Sequence, residues 1–408
     1  MVDVYGNNII GAYTGGVAVN EIWCQGVKVW PTDVPPGGSY YISWTPTTLS
    51  GSFSMEGNTY NLEDYSGYFS FNGGAITVSA FRSVPLTTME TNAVTLEASC
   101  FRNCSSLSSV KIPEVTEIGS WAFRTNAFSI ITGMNCSVIG EGAFYDCNSL
   151  KSVTFPVCNT VSDMAFAYCT LLNYVYLPQV KSIGAKAFEG DVYLRTINFP
   201  QCEYVGSSAF FECSRMFSVR LAECKYIGDY GFAGGKPSFA SVSLPKCSYI
   251  GHNAFAAAGL VSMNTPVVEY IGERAFLNCS SLTSADFPVT SRIEASAFFG
   301  CENLSRIDLP ECKYMGDNAF RKCLSLTSLD LPKCSNIGST AFYNCVELSL
   351  VILRSNRVCQ LGVNAFDATP IQFSGSTGSI LVPSSLVSAY KSAPNWSRYS
   401  SRIYPITT

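Results

Sequence analysis

The sequence predicts an α/β solenoid of about 13 units of about 22 residues, with a parallel sheet on one face, preceded by small all-β N-terminal modules. Three observations carry this prediction. One phrase recurs, as Ile118-Gly-Ser-Trp-Ala-Phe123, Ile139-Gly-Glu-Gly-Ala-Phe144, Ile183-Gly-Ala-Lys-Ala-Phe188, Ile250-Gly-His-Asn-Ala-Phe255 and Ile337-Gly-Ser-Thr-Ala-Phe342. The phenylalanines that close it fall at 101, 123, 144, 166, 188, 210, 232, 255, 276, 298, 320, 342 and 366, spaced by 21 to 24 residues. Within each unit the apolar period shifts from three or four residues to two, so each unit holds one short helical turn and one strand. A unit this small cannot bury a core alone, and stacking solves that.

Written from its most regular copies, the unit is I-G-x-x-A-F-x-x-C-x-x-L-x-x-V-x-L-P-x-C-x-x. Ala319, Phe320, Cys323 and Leu326 are spaced to share one side of a helical turn. Leu326, Leu329 and Leu331 then move to alternation, the period of a strand with one buried face. Proline follows the strand at 113, 156, 178, 200, 245, 266, 288, 310 and 332, where its missing N–H ends pairing. The glycine after Ile marks a turn that needs positive φ or a close approach of backbone.

These fixed letters resemble the BspA-like, Treponema-type leucine-rich repeat over residues 90–370. The resemblance implies a leucine-rich-repeat solenoid and a role at surfaces: cell-surface adhesins, host-protein binders, and phage or parasite surface proteins share it.

The ends read differently. Residues 1–32 contain two short alternating runs joined by Cys-Gln-Gly, a hairpin signal whose apolar positions are Ile22, Trp23, Val29 and Trp30. This segment resembles N-terminal modules of tail and virion proteins from gut Bacteroidetes phages, which implies an attachment hairpin. Residues 33–39 form a Pro- and Gly-rich linker, and 40–90 a small β-rich domain with an antiparallel sheet or sandwich. The solenoid occupies 91–370. Residues 371–408 form a strand and helix cap, with Leu386, Val387, Tyr390, Trp396 and Tyr399 as its apolar side.

Of the 18 cysteines, all but Cys24 lie in the repeats. Most fall in two columns, three residues after the phenylalanine or two after the proline. Asn126, Asp191 and Ala258 replace cysteine in the first column, and Val115 and Val180 in the second. Such free exchange marks small buried packing residues rather than a disulfide ladder or metal site, and C-x-x-C zinc spacing is missing.

Composition excludes several functions. Thirty acids against 26 bases give a net charge of −4, which leaves no excess positive charge for nucleic acid. One histidine, His252, leaves little room for His-based catalysis or metal binding, so no cofactor or metal is expected. No run of about 18 apolar residues occurs, so no membrane insertion is expected. Met1–Asn8 lacks a basic segment followed by an apolar core, so no secretory signal is expected and synthesis is assigned to a cytosol.

Residues flanking the central position of each strand point outward. Two patches stand out among them: Tyr174 and Tyr176 with Arg220, and the row Asp286, Asp308, Asp330 with Arg306. The functional expectation is a non-enzymatic virion protein of a tailed phage, of tail or head fibre type, on the particle exterior. Its partners are other virion proteins through residues 1–32, a host surface protein or glycan through the solenoid, and a second copy of itself through 40–90. The alternative is a bacterial cell-surface adhesin of the BspA-like type with its export signal trimmed. A glycan-active enzyme would need paired carboxylates in a cleft, for which the Asp row is the candidate.

Overall fold

In each turn, the two residues that end in the Ile of the Ile-Gly phrase form a short strand, and successive strands pair in parallel. A computed structural model describes residues 75–234, 239, 241–372 and 377–407, together with the backbone of short strands between residues 22 and 71. The chain divides into two compact units, Met1–Phe199 and Pro200–Thr408. In the first, the ladder runs through Thr48–Leu49, Ala75–Ile76, Thr95–Leu96, Glu117–Ile118, Val138–Ile139, Thr160–Val161 and Ser182–Ile183. In the second it runs through Tyr204–Val205, Tyr226–Ile227, Tyr249–Ile250, Tyr270–Ile271, Arg292–Ile293, Tyr314–Met315, Asn336–Ile337 and Gln360–Leu361. The predicted parallel-sheet solenoid is what forms.

A second set of strands carries the alternating residues. Ile130–Thr132, Ser152–Thr154 and Tyr174–Tyr176 pair in parallel in the first unit. Ser262–Asn264, Ser284–Asp286 and Arg306–Asp308 do so in the second. Their central residues are buried or nearly so, and the flanking ones face out.

The core is a pile of phenylalanine rings. Phe81, Phe101, Phe123, Phe144, Phe166 and Phe188 stack at centroid spacings of 5.0 to 5.5 Å, with ring planes within 12° of parallel. In the second unit Phe210 to Phe366 repeat the pattern. The spacing is close to that of adjacent strands, so the sheet sets the pitch at which the rings meet.

The segment around each phenylalanine departs from the predicted helical turn. Residues two before and two after it take left-handed φ, as at Trp121 and Thr125 (both 60°) or Ser296 (58°) and Gly300 (72°). This alternation breaks a helix and frees every second N–H to bond the next turn: Ser99, Phe101 and Asn103 donate to the carbonyls of Ser120, Ala122 and Arg124 at 2.8 Å. A β-branched residue is costly in that conformation. Thr125→Gly is therefore expected to raise stability by about 0.5–1 kcal/mol, less what glycine's own entropy takes back; chemical denaturation measures it, and a loss would contradict the reading.

The repeat glycines settle the other sequence question. None of those after Ile needs positive φ; each lies against the backbone of the preceding turn. A Cβ on Gly140 would sit 2.7 Å from Gly119 C, and one on Gly338 would sit 2.4 Å from Gly316 C. Backbone cannot swing aside, so Gly338→Ala should cost about 2–3 kcal/mol by thermal or chemical melting. A neutral result would show that the turns can spread.

The ends refine the sequence reading. Ile42–Trp44, Gly67–Phe71 and Leu86–Thr91 run parallel beside Ser109–Lys111, and antiparallel pairing is found in Ser52–Met55 with Asn58–Asn61. The repeat thus begins before residue 91; Ile76-Thr77 and Leu96-Glu97 lack the glycine that marks later turns, which hides it. Ile22–Cys24 and Val27–Val29 pair as a hairpin, Ile22 opposite Val29 and Trp23 opposite Lys28; Trp30 lies outside the described residues. At the other end a short 3-10 turn, Ser384–Leu386, leads into the helix Val387–Ser392. Tyr390, Trp396 and Tyr399 are buried, while Leu386 and Val387 are half-buried. Trp396 Nε1 donates to Cys359 O at 2.6 Å, Cys359 N donates to Tyr390 Oη at 3.0 Å, and Phe366 N donates to Tyr399 Oη at 3.2 Å. These side chains satisfy the backbone groups that an open last turn leaves unpaired. Among the described residues no helix is long and apolar enough to cross a membrane.

Candidate functional site

Because strand side chains alternate, turning Ile131 and Val153 into the core, and Val175 partly so, commits their neighbours to the outside. In the first unit this places Ile130, Ser152 and Tyr174 in one row and Thr132, Thr154 and Tyr176 in another. Ile130 is 60% exposed, Tyr174 54% and Tyr176 44%. Beside Ile130 lies an open groove of about 610 Å³, lined by Glu90, Lys111, Pro113, Ile130 and Met134. It sits where Ser109–Lys111 and Ile130–Thr132 belong to separate ladders. Lys111 Nζ meets Glu90 Oε2 at 3.1 Å on its rim.

In the second unit Arg220 lies opposite Ser243, exposed. Asp286 lies opposite Asp308, and Ser284 opposite Arg306. They edge a hollow of about 290 Å³ over Ala285, whose small side chain leaves room where other strands carry Val or Ile. The third member of the acidic row is committed elsewhere. Arg354 holds Asp330 through Nε at 3.1 and 3.0 Å and through Nη2 at 2.8 Å. The row is therefore a pair of carboxylates, with Asp330 neutralised beside it. Among the described residues no group of three or more His, Cys, Asp or Glu is placed to hold a metal ion. His252 is half-buried, and its main-chain N–H donates to Asp229 Oδ1 at 2.8 Å.

A surface row that the sequence reading passes over lies on the two-residue strands of the second unit. Tyr204, Tyr226, Tyr249 and Tyr270 stack at 4.9, 4.6 and 4.9 Å, nearly parallel. Arg292 then lies over Tyr314 at 4.2 Å. Burial, then Glu294, pushes the Tyr270 phenol up to about 12. Because each ring covers the next, the row shows edges and hydroxyls rather than faces. The signal was present in the sequence, as the residue before each Ile-Gly or its equivalent.

The cysteine columns are interior. All seventeen repeat cysteines are free and buried. In the first column each thiol reaches the carbonyl of a phenylalanine one turn back, as from Cys147 to Phe123 at 3.0 Å, Cys301 to Phe276 at 3.1 Å and Cys345 to Phe320 at 3.0 Å. Asn126 takes over the task, with Nδ2 donating to Phe101 O at 2.8 Å. In the second column the thiol bonds two residues ahead, as from Cys312 to Tyr314 O at 3.4 Å. Burial pushes the Cys147 and Cys345 thiols up to about 12, so almost no thiolate forms. A thiol reagent at pH 8 is thus expected to leave these seventeen untouched in the folded protein and to modify all of them after unreduced denaturation; a large unreactive fraction at that point would mean disulfides.

Asp191 occupies the same column and is wholly buried; the Cys169 main chain lies near enough to favour its ionised form, but neither carboxylate oxygen makes a well-formed hydrogen bond among the described residues. Burial holds its pKa well above the usual carboxylate range.

The profile of the BspA type leucine rich repeat region matches residues 74–191, 159–283 and 269–374, in six copies. No curated protein matches the chain. Several solved structures are similar. A leucine-rich repeat protein from Bacteroides ovatus shares 20% identity at a TM-score of 0.47, with 99% of this chain and 100% of that one covered. A leucine rich cell surface protein from Faecalibacterium prausnitzii shares 21% at 0.41, covering 88% and 96%. The pneumococcal vaccine antigen PcpA shares 14% at 0.37, covering 100% and 96%.

Proposed function

We propose a function from one premise: the chain belongs to the BspA-type leucine-rich repeat family. Proteins built this way act mainly by binding, because stacked repeats present long regular surfaces and few enclosed clefts. The reading adopted is a non-enzymatic adhesin at a bacterial surface, which holds a protein partner on the outward rows of its longer strands. The observation that carries it is the exposure of Ile130, Tyr174 and Tyr176 on strands paired in register, with an open groove next to Ile130. Large aromatic and aliphatic side chains held rigidly on strands are the usual anchors of interfaces, and their exposure is otherwise unfavourable. Taken by itself, the second unit offers charged contacts through Arg220 and through the Asp286 and Asp308 pair with Arg306. The phage virion reading, drawn from residues 1–32, has none of these supports.

Antibody labelling of intact producing cells, paired with mass spectrometry of phage particles from the same culture, tests the assignment. Labelling of intact cells is expected. Recovery in purified particles with no label on cells would replace the surface reading with the virion one.

A further inference from the structure

We propose that the turn side of the first unit binds an acidic polysaccharide through three stacked arginines, Arg82, Arg102 and Arg124. This site lies on the phenylalanine turns, and it stands or falls separately from the strand-side reading above.

The placement follows from the fold. Phe-Arg recurs at 81–82, 101–102 and 123–124, and the rings of Phe81, Phe101 and Phe123 stack directly on one another. The turns carrying them are tied residue by residue: Ser83 N donates to Arg102 O at 2.7 Å, and Asn103 N donates to Arg124 O at 2.8 Å. Three guanidinium groups therefore stand on consecutive turns, at a repeat set by the sheet. Arg82 is exposed, and Arg102 and Arg124 are half-buried. No carboxylate of the described residues pairs with any of them.

The electrostatics are unfavourable without a partner. After burial, the groups that lower the Arg102 pKa are Arg124 and then Arg82, both positive. The buried Nε atoms of Arg102 and Arg124 have no acceptor among the described residues. In a chain of net charge −4, with most of its cations in ion pairs or scattered, like charges stacked at this spacing call for an anion from outside.

The neighbours narrow its chemistry. The same row continues into Tyr145, and Arg124 lies 5.0 Å from the Tyr145 ring and 5.5 Å from Trp121. Tyr145 meets Tyr168 edge to face at 5.5 Å. Guanidinium groups that end among the rings of Trp121, Tyr145 and Tyr168 suit a polymer that alternates fixed negative charge with apolar C–H faces. A uronate or sulfated polysaccharide is such a polymer. Guanidinium forks bind carboxylate and sulfate in two-point fashion, and sugar C–H faces pack on the rings.

The test is binding of the full chain to immobilised polygalacturonate and heparin, with dextran as the neutral control and polyphosphate as a non-sugar polyanion. Binding to both acidic polysaccharides is expected, with weakening as salt rises and no binding to dextran. Each Arg→Gln change should lower affinity about tenfold. Arg82→Gln is the safest variant, because this side chain is exposed; Arg102→Lys and Arg124→Lys keep charge but lose the fork, and should recover part of the loss. Absence of polysaccharide binding at low salt, or affinity unchanged in Arg82→Gln and in the triple Gln variant, would overturn the proposal. Polyphosphate bound as tightly as the acidic sugars would also overturn it, by removing the sugar from the recognition.

Discussion

Replacing Asp191 by cysteine is expected to stabilise the folded protein at neutral pH by about 1–3 kcal/mol, the cost of a poorly satisfied buried polar group. Asp191 is wholly buried, and only the Cys169 main chain partly offsets the burial, with no well-formed hydrogen bond to either carboxylate oxygen among the described residues. It stands where Cys147 and Cys169 each bond the phenylalanine carbonyl of the preceding turn. Its folded pKa is raised well above that of the unfolded chain, about 3.9. The sign follows: the folded state holds the proton more tightly, so stability is full below pH 4 and falls as pH rises towards the folded pKa. Each unit in that window costs about 1.4 kcal/mol. Melting of the wild type and of Asp191→Cys should therefore converge near pH 4 and diverge as pH rises above it. A difference that does not change with pH would show that the carboxyl already finds a partner when ionised.

Phe298→Ala is expected to cost about 4 kcal/mol. Its ring is fully buried, 5.0 Å from Phe276 on one side and 5.0 Å from Phe320 on the other, and 5.8 Å from Phe287. Removing it leaves a gap that the two stacked neighbours cannot close, because their turns are fixed by the backbone ladder. Each turn of a solenoid contacts only the next ones, so hydrogen exchange should rise in the turns around Phe276 and Phe320 and little elsewhere. A loss under about 1 kcal/mol would mean that the ring pile is not what holds the turns in register.

The repeat was legible because its fixed letters are those the stack buries. Phe, Cys, Leu and the residue of the Ile position recur at one spacing, and each faces its own copy one turn away. The local conformation around the phenylalanine was not legible. Spacings of three and four residues suit a helix, but they suit equally a turn of alternating handedness, and what decides between them is bonds to a turn about 22 residues away. Surface pairing was hidden for the same reason. Asp330 looks like a third member of an acidic row until Arg354, on the adjacent strand, is seen to hold it. Asp191 counted in the sequence as a sign that its column tolerates anything; the structure makes it the column's misfit. The tyrosines before Ile-Gly and the Phe-Arg pairs of three consecutive turns were both visible in the text, and only stacking gives them meaning as rows.

Buried columns hold the solenoid together, and the outward rows on the strands are proposed to hold a partner. Adhesion of protein-coated beads to an epithelial cell layer, compared between wild type and Tyr174→Ser/Tyr176→Ser, tests this most directly. Both residues are exposed, so melting should not change, while adhesion should fall about tenfold or more. Adhesion that stays intact in the variant, or that falls only together with its melting temperature, would contradict the account.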